Sequence, residues 1–261
     1  MIFYMTVGIG VMLLFAVSFV LFFLLSQRKL HQEQQKIQEQ NLLHQEQLLY
    51  STIQTQEEER KRIAKDLHDD IGSKLNVIHL GLYRLQKHTV ENPEHELTIK
   101  EVSEILQDTI GATRRIAHDL LPPTLENFGL KEAIRELCDK YSRTGAVNAH
   151  FEVFRQSGRP CDKNAEVNLF RVVQELTSNS IRHGKAENIL ISMWITDTEI
   201  RIEFTDDGLG FDPDLIPQGQ GLGTQSMFSR LKMIGASMYY DTAPNAGYKA
   251  FIQYPYPFPA L

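Results

Sequence analysis

Across residues 27–71 the chain contains neither glycine nor proline. A stretch of that length, rich in Gln, Glu, Leu, Lys and His, is made of helix formers and has no breaker. It predicts one long helix. Leu42, Leu49, Ile53 and Ile63 fit a loose heptad seam, with Glu46 and Arg60 as polar interruptions. The expectation is a coiled-coil signalling helix over 27–58; an unpaired, solvated helix is the alternative. Residues 2–25, just before it, carry no charge and are dominated by Val, Leu, Ile, Phe and Met. At about 1.5 Å per residue such a run can cross a bilayer core of roughly 30 Å. Arg28 and Lys29 follow the run instead of preceding it. That fits an uncleaved anchor over 1–26, with its C-terminal side in the cytoplasm, better than a signal peptide. The expected location is the inner (plasma) membrane, single-pass, with no room ahead of the anchor for an external sensing domain.

The helical pattern runs on. Ile63, Leu67, Ile71, Leu75 and Ile78 recur about every four residues, and Leu82 and Leu85 extend the stripe. A turn is expected near 88–93 and a second helix over about 93–120, where Val102, Leu106, Thr109, Thr113, Ile116 and Leu120 form another seam. Two helices joined by a short turn make an antiparallel hairpin that cannot bury both seams alone. Two copies should therefore pair into a four-helix bundle, a homodimer. His68 lies beside the first seam, followed by Asp69 and Asp70 and preceded by Arg60, Lys61, Arg62 and Lys65. A carboxylate can hold the ring proton on one imidazole nitrogen and leave the other nucleophilic, which suits a phosphoryl acceptor. A helical His beside Asp is equally at home as a surface residue with a local hydrogen bond.

Pro122 and Pro123 stop the second helix. A turn over 126–129, a short helix over 130–141 and a polar linker over 142–145 follow. The pattern then becomes α/β: strands at 147–154, 188–196, 199–206, 237–241 and 249–254, with helices at 164–182 and 224–234. The net charge of −6, with no large Lys/Arg block, argues against direct nucleic-acid binding. Cys138 and Cys161 have no metal-ligand spacing and indicate a reducing compartment.

Three spacings in this half carry chemistry. Glu175, Asn179 and His183 stand four apart on one helix face, opposite Val172, Val173, Leu176 and Ile181. An Asn oxygen suits Mg²⁺, a Glu can orient a metal-bound water, and a His can donate to a phosphate; a plain solvated face is the rival. Asp206-Asp207-Gly208-Leu209-Gly210 closes a strand. A carboxylate at a pocket floor accepts from the exocyclic amine of adenine, and glycines let backbone approach the base; Asp-Gly is also a common turn. Gly219-Gln220-Gly221-Leu222-Gly223-Thr224 opens a helix, whose N-terminal NH groups suit phosphates.

Taken in order, QELTSNSIRHG, DDGLG and GQGLGTQSM resemble the N, G1 and G2 boxes of the ATP-binding domain shared by histidine kinases, gyrase and related ATPases. IAKDLHDDIG resembles the phosphoacceptor box of the nitrate-sensor-like subfamily of sensor histidine kinases, and LLPPTLENFGLKEAI its link to the ATPase domain. The resemblance covers about residues 57–255. It implies that His68 is the phosphoacceptor and Asp69 the acid that orients it. It also implies that Glu175 is the N-box acid, Asn179 the Mg²⁺ ligand and His183 a phosphate-side histidine. Asp206 then recognises adenine, while Gly208, Gly210, Gly221, Gly223 and Thr224 form the pocket and its lid. His118-Asp119, which precedes the LLPP link, reads as structural. ATP and Mg²⁺ are the implied cofactors. The implied partners are a second copy, the membrane and a response regulator that is a DNA-binding transcription factor.

The expected fold is α, then α+β: a membrane anchor helix over 1–26, a coiled coil over 27–58 and a dimeric helical hairpin over 59–125. A linker helix over 126–145 and an α/β sandwich ATP-binding domain over 146–261 complete it. The expected activity is autophosphorylation of His68 from ATP–Mg²⁺, then transfer to an Asp of the regulator. A relative that phosphorylates serine in an anti-sigma system would share the ATP pocket but has no need of the hairpin or His68. A non-catalytic scaffold has no need of Glu175, Asn179 and the glycines together. Two positions depart from the family pattern. Asp207 stands where Asn is common and adds a charge near the nucleotide, one that is harmless if it faces the surface. Ser73 stands where the subfamily's phosphatase signature has Gln, and its hydroxyl is a shorter, different donor from an amide. Kinase activity with weak or absent phosphatase activity is predicted. Phosphorylated regulator incubated with this protein, without nucleotide, should keep its label; clean loss of label contradicts this.

Overall fold

The computed structural model describes residues 2–88, 93–155, 161–212 and 221–256. Side chains at 2–9, 11, 13, 16, 17, 20, 87, 88, 93–96, 155 and 222 fall outside that description, as do much of the turn expected near 88–93, Gly219-Gln220 and residues 257–261. The chain forms two compact units, Met1–Ser51 and Thr52–Leu261. The first consists of the N-terminal part of helix α1 (Ile2–Asp66). Its seam residue Leu42 is exposed, as are Leu43 and Leu48. Among the described residues no helix is long and apolar enough to cross a membrane; most side chains of residues 2–20 lie outside them.

In the second unit, α1 runs through a π-helical turn, Leu67–Ile71, into α2 (Gly72–His88), and α3 (Pro93–Leu120) packs back on α2. An unbroken α-helix was expected here. A π-turn closes its hydrogen bond one residue later and so rotates everything downstream. Beyond it the half-buried positions are Leu75, His79 and Leu82, while Ile71 and Ile78, members of the expected stripe, face out. On α3 the buried residues are Leu106 and Ile110; Val102 and Ile116 are exposed.

A second departure follows α3. Residues 126–129 were expected as a turn, but α4 (Pro123–Phe128) is a short helix. Pro123 fits the first helical position, where its fixed φ helps and its missing N–H costs nothing. Gly129 ends the helix at φ +82°. Glu166 Oε1 then accepts from Leu130 N at 3.3 Å, at the start of α5 (Leu130–Arg143). Leu130, Ala133, Ile134, Leu137 and Cys138 form the buried face of α5.

Strands β1 (Asn148–Arg155), β2 (Asn188–Ile195), β3 (Glu199–Asp206), β4 (Ser237–Thr242) and β5 (Tyr248–Pro255) make one five-stranded sheet in the order β1-β2-β3-β5-β4. Only β1–β2 is parallel. Ile200, Ile202 and Phe204 alternate inward on β3. They meet α5, α6 (Lys163–Asn179) and α7 (Leu222–Met233) in a core with Leu169, Phe170, Val173, Leu176, Ile191, Met193, Leu231 and Ile252. Each large side chain fully buried there contributes about 2 kcal/mol. Both cysteines are free, and burial pushes both thiols up to about 12, far from a reactive thiolate.

Glu57, near the end of α1, ties this core to the helical part. Arg171 of α6 donates to its carboxylate through Nε at 3.0 Å and Nη2 at 2.6 Å, and Arg230 of α7 through Nη1 at 3.3 Å. Arg171 also reaches Leu120 O at the end of α3. Both guanidiniums are buried, and burial holds Arg230 below its usual range. Removing the carboxylate would leave two buried cations facing each other. Glu57→Gln is expected to lower stability by about 3 kcal/mol, read as an earlier urea midpoint; an unchanged midpoint contradicts the role given to this cluster.

Candidate functional site

Asp206 ends β3, paired with Ile189 of β2 on one side and Tyr248 of β5 on the other. Its buried carboxylate is held from several directions. Oδ1 accepts from Gly208 N at 2.9 Å and Tyr248 N at 3.2 Å, and Oδ2 accepts from Ser180 Oγ. Above it opens a cavity of about 350 Å³, within the range of small-molecule sites. Asn179, Ser180, His183, Asp206, Gly210, Gly221 and Thr224 are among the residues that line it. Phe211, Tyr240 and Tyr248 form an aromatic wall: the two tyrosine rings stack at 5.5 Å, and Phe211 lies 6.0 Å from Tyr248. Burial raises the Tyr248 phenol above its usual range.

The row Glu175, Asn179, His183 is carried by α6 and a second π-turn, Ser180–Gly184, where a continuous helix to 182 was expected. Asp162 caps α6 by accepting from Ala165 N. Val172, Val173 and Leu176 face the core, as their spacing indicates. The π-turn carries Ser180 inward toward Asp206 while His183 stays exposed.

The glycines earn their places by close approach. Leu209 N donates to Gly184 O at 2.7 Å, and a Cβ on Gly208 would lie 2.6 Å from that same oxygen. At Gly210 (φ +56°) a Cβ would lie 2.2 Å from Ala243 O. Gly221 precedes α7, whose N-terminus faces the cavity and suits an anion. A Cβ on Gly223 would lie 2.4 Å from Glu175 Oε1, so the first turn of α7 packs against that carboxylate.

Asn179, His183, Asp206, Gly210, Gly221 and Thr224 thus surround one cavity, with Gly208, Gly223 and Glu175 directly behind its walls. His68 and Asp69 lie elsewhere, on the hairpin. The His68 ring is 78% exposed, and its Nδ1 stands 3.0 Å from Asp69 Oδ1. A carboxylate only accepts, so the ring proton sits on Nδ1 and Nε2 carries the lone pair. His118 is different: half-buried, its Nε2 pairs with Glu136 of α5 at 2.9 Å, while neighbouring Asp119 pairs with Lys140. Burial pushes the Glu136 carboxyl up, but hydrogen bonds from Thr124 and His118 outweigh it and hold the group low. This second His-Asp pair fastens α3 to α5.

Asp207 does not line the cavity. It accepts from Glu187 N at 2.9 Å, Asn188 N at 2.8 Å and Asn188 Nδ2 at 2.7 Å. The Asn188 bonds hold its carboxyl below the usual range. Its charge is spent on the start of β2. Among the described residues no group of three or more His, Cys, Asp or Glu can hold a metal. The donor set still fits Mg²⁺ arriving on phosphates, because that ion keeps waters and phosphate oxygens and needs few protein ligands; Asn179 offers one oxygen. A larger cavity, about 550 Å³, lies where Ile53 and Glu57 meet Asn168 and Arg230, and among the described residues no glycine lines it.

Sequence reasoning missed Ser180, Phe211, Tyr240, Gly247 and Tyr248. Ser180 had a signal: a small hydroxyl residue four after Leu176, on the core-facing side.

Residues 59–125 match the family described as histidine kinase. Residues 164–257 match the ATPase family of the histidine kinase, DNA gyrase B and HSP90 kind. The chain is 28% identical over 218 residues to the oxygen sensor histidine kinase NreB of Staphylococcus carnosus, covering 84% of this chain and 62% of that relative's length. Among solved structures, the histidine kinase domain of a blue-light activated kinase from Erythrobacter litoralis aligns with TM-score 0.44 and 14% identity, over 71% of this chain and 94% of that one. The histidine kinase AdeS of Acinetobacter baumannii aligns with TM-score 0.40 and 16% identity, over 69% and 94%.

Gly247 and Asp207 give opposite expectations. A Cβ on Gly247, at φ +75°, would lie 2.1 Å from the Asp206 carbonyl oxygen. Gly247→Ala should cost more than about 1 kcal/mol of stability and displace Asp206, lowering ATP affinity. Asp207→Asn should leave ATP affinity within about twofold, as a substitution outside the cavity. Calorimetric titration with ATP checks both; the reverse order of effects contradicts the site.

Proposed function

We propose that this chain, matched by the histidine kinase family over 59–125 and by the related ATPase family over 164–257, is a sensor histidine kinase that phosphorylates its own His68 from ATP and passes the phosphoryl group to an aspartate of a response regulator. The observation that carries this reading is the imidazole of His68. It is exposed on a helix, with Nδ1 held by Asp69, which leaves Nε2 as the nucleophilic nitrogen.

ATP occupies the cavity floored by Asp206, with its phosphates toward Asn179, His183 and the N-terminus of α7. Asp206 accepts from the exocyclic amine. Gly221 and Gly223 offer backbone NH groups and the positive end of α7 to the phosphates, and Thr224, whose own NH donates to Gly221 O, offers its hydroxyl. Mg²⁺, held by Asn179 and the phosphate oxygens, would supply charge neutralisation; Glu175 would orient a water in its shell. The Nε2 lone pair of His68 attacks the γ-phosphorus in line with the leaving oxygen. A P–N bond forms, a P–O bond breaks and ADP leaves. The imidazolium that results keeps its Nδ1 proton against Asp69, which stabilises the new charge. Little covalent work falls to other side chains, so positioning and electrostatics dominate.

We further propose a homodimer. Ile71 in the π-turn, Ile78 and Leu85 on α2 and Val102, Ile105 and Ile116 on α3 are exposed apolar residues. A second hairpin would cover them and complete a four-helix bundle. The uncharged stretch over 2–25 supports membrane anchoring, with the remainder cytoplasmic. The regulator is read as a DNA-binding transcription factor. The hairpin and the ATP-binding domain are treated as separate domains over 59–125 and 146–261, joined by the linker over 126–145.

Labelling with ATP carrying γ-³²P tests the acceptor. The wild type should yield an acid-labile, base-stable product. His68→Ala should abolish the label and keep ATP binding, whereas Asp206→Ala should abolish binding itself. Acid-stable label, or label retained in His68→Ala, would point to a serine kinase instead.

A further inference from the structure

The geometry around Asp206 points to a second base-reading residue: we infer that Ser180 and Asp206 together present a two-acceptor edge that recognises both N–H groups of a primary exocyclic amine. The inference rests on the nucleotide reading of the cavity and specifies how the base is chosen.

Ser180 is 4% exposed and lines the cavity beside Asp206. Its hydroxyl has one proton and two acceptors within reach, Leu176 O at 3.0 Å and Asp206 Oδ2. Leu176 O already accepts the backbone N–H of Ser180. The carboxylate is the stronger acceptor, so the proton goes to Asp206. What Oγ keeps is lone-pair density, and it can only accept from a ligand.

Asp206 is similarly committed. Its Oδ1 takes the N–H groups of Gly208 and Tyr248. Its Oδ2 takes the Ser180 proton and has lone-pair capacity left. Ser180 Oγ and Asp206 Oδ2, both on residues that line the cavity, are therefore left as acceptors at this end of it. A primary amine satisfies both. A base with a carbonyl at that position sets a third acceptor against them and leaves buried polar groups unpaired. A secondary amine satisfies one and drives its substituent against the other. The aromatic wall of Phe211, Tyr240 and Tyr248 takes the ring by stacking and carries no such discrimination.

The test is equilibrium binding of ATP and N6-methyl-ATP, with Mg²⁺, to the full chain and to its Ser180→Ala variant. The wild type should lose roughly tenfold in affinity on N6-methylation, the worth of one buried hydrogen bond. Ser180→Ala should bind ATP more weakly and the two nucleotides about equally, because the methyl group enters the space the hydroxyl leaves. Equal affinities in the wild type, or the same ratio in wild type and variant, would overturn the inference. Should Ser180→Ala not fold, Ser180→Gly carries the same comparison, because a wild-type loss alone also follows from Asp206. ATP binding with the wrong ratio overturns this assignment alone; no ATP binding by the wild type overturns the nucleotide reading together with it.

Discussion

A carboxylate buried at the end of a strand must be met by donors, and Asp206 draws them from the loop that follows it, from β5 and from the turn after α6. Leaving such a group unmet costs several kcal/mol. The requirement fixes where those segments stand. It holds Ser180 inward, sets β5 in register beside β3 and brings the 206–210 loop against Gly184. The cavity is the space this arrangement leaves in front of the carboxylate. The glycines follow as a consequence, since at Gly208, Gly210 and Gly247 a Cβ would collide with backbone oxygens.

The other half of the chemistry lies on the hairpin. His68 and the turn after Asn179 are both in π-turns, where one extra residue re-aims side chains; such turns are frequent at functional sites. Glu57 joins the two halves. It lies on α1 before His68, Arg171 lies one turn before Glu175, and Arg230 lies on the helix that opens at Gly221. One carboxylate therefore bears on the helix that leads to His68, the helix of Glu175 and Asn179 and the helix that follows Gly221.

Much of this was legible in the residues. The absence of Gly and Pro over 27–71 gave the helix, alternation such as Glu199-Ile200-Arg201-Ile202 gave β3, and the four-residue spacing of Glu175, Asn179 and His183 gave the polar face of α6. What was not legible depends on contacts between distant segments. Nothing local marks a π-turn, so the sequence pattern shows one continuous stripe where within a single chain Leu75, His79 and Leu82 turn toward α3 and Ile71 and Ile78 stay exposed. Of the turn expected over 126–129 only Gly129 turns, because Pro123 starts a helix that takes in 126–128. The pairing of Glu57 with Arg171 spans more than a hundred positions and leaves no periodic trace. Asp207 shows the opposite case: its type left open a charge near the nucleotide or a harmless surface group, and its hydrogen bonds turn it to the start of β2.

The central claim is that Asp69 fixes the proton on Nδ1 of His68 and so reserves Nε2 for phosphorus. NMR of the ¹⁵N-histidine-labelled chain after reaction with ATP–Mg²⁺ tests it directly through the phosphorus–nitrogen coupling. The account predicts a single phosphohistidine, coupled at Nε2 of His68. Coupling at Nδ1, or phosphorus bound to oxygen with no coupled ring nitrogen, would contradict it.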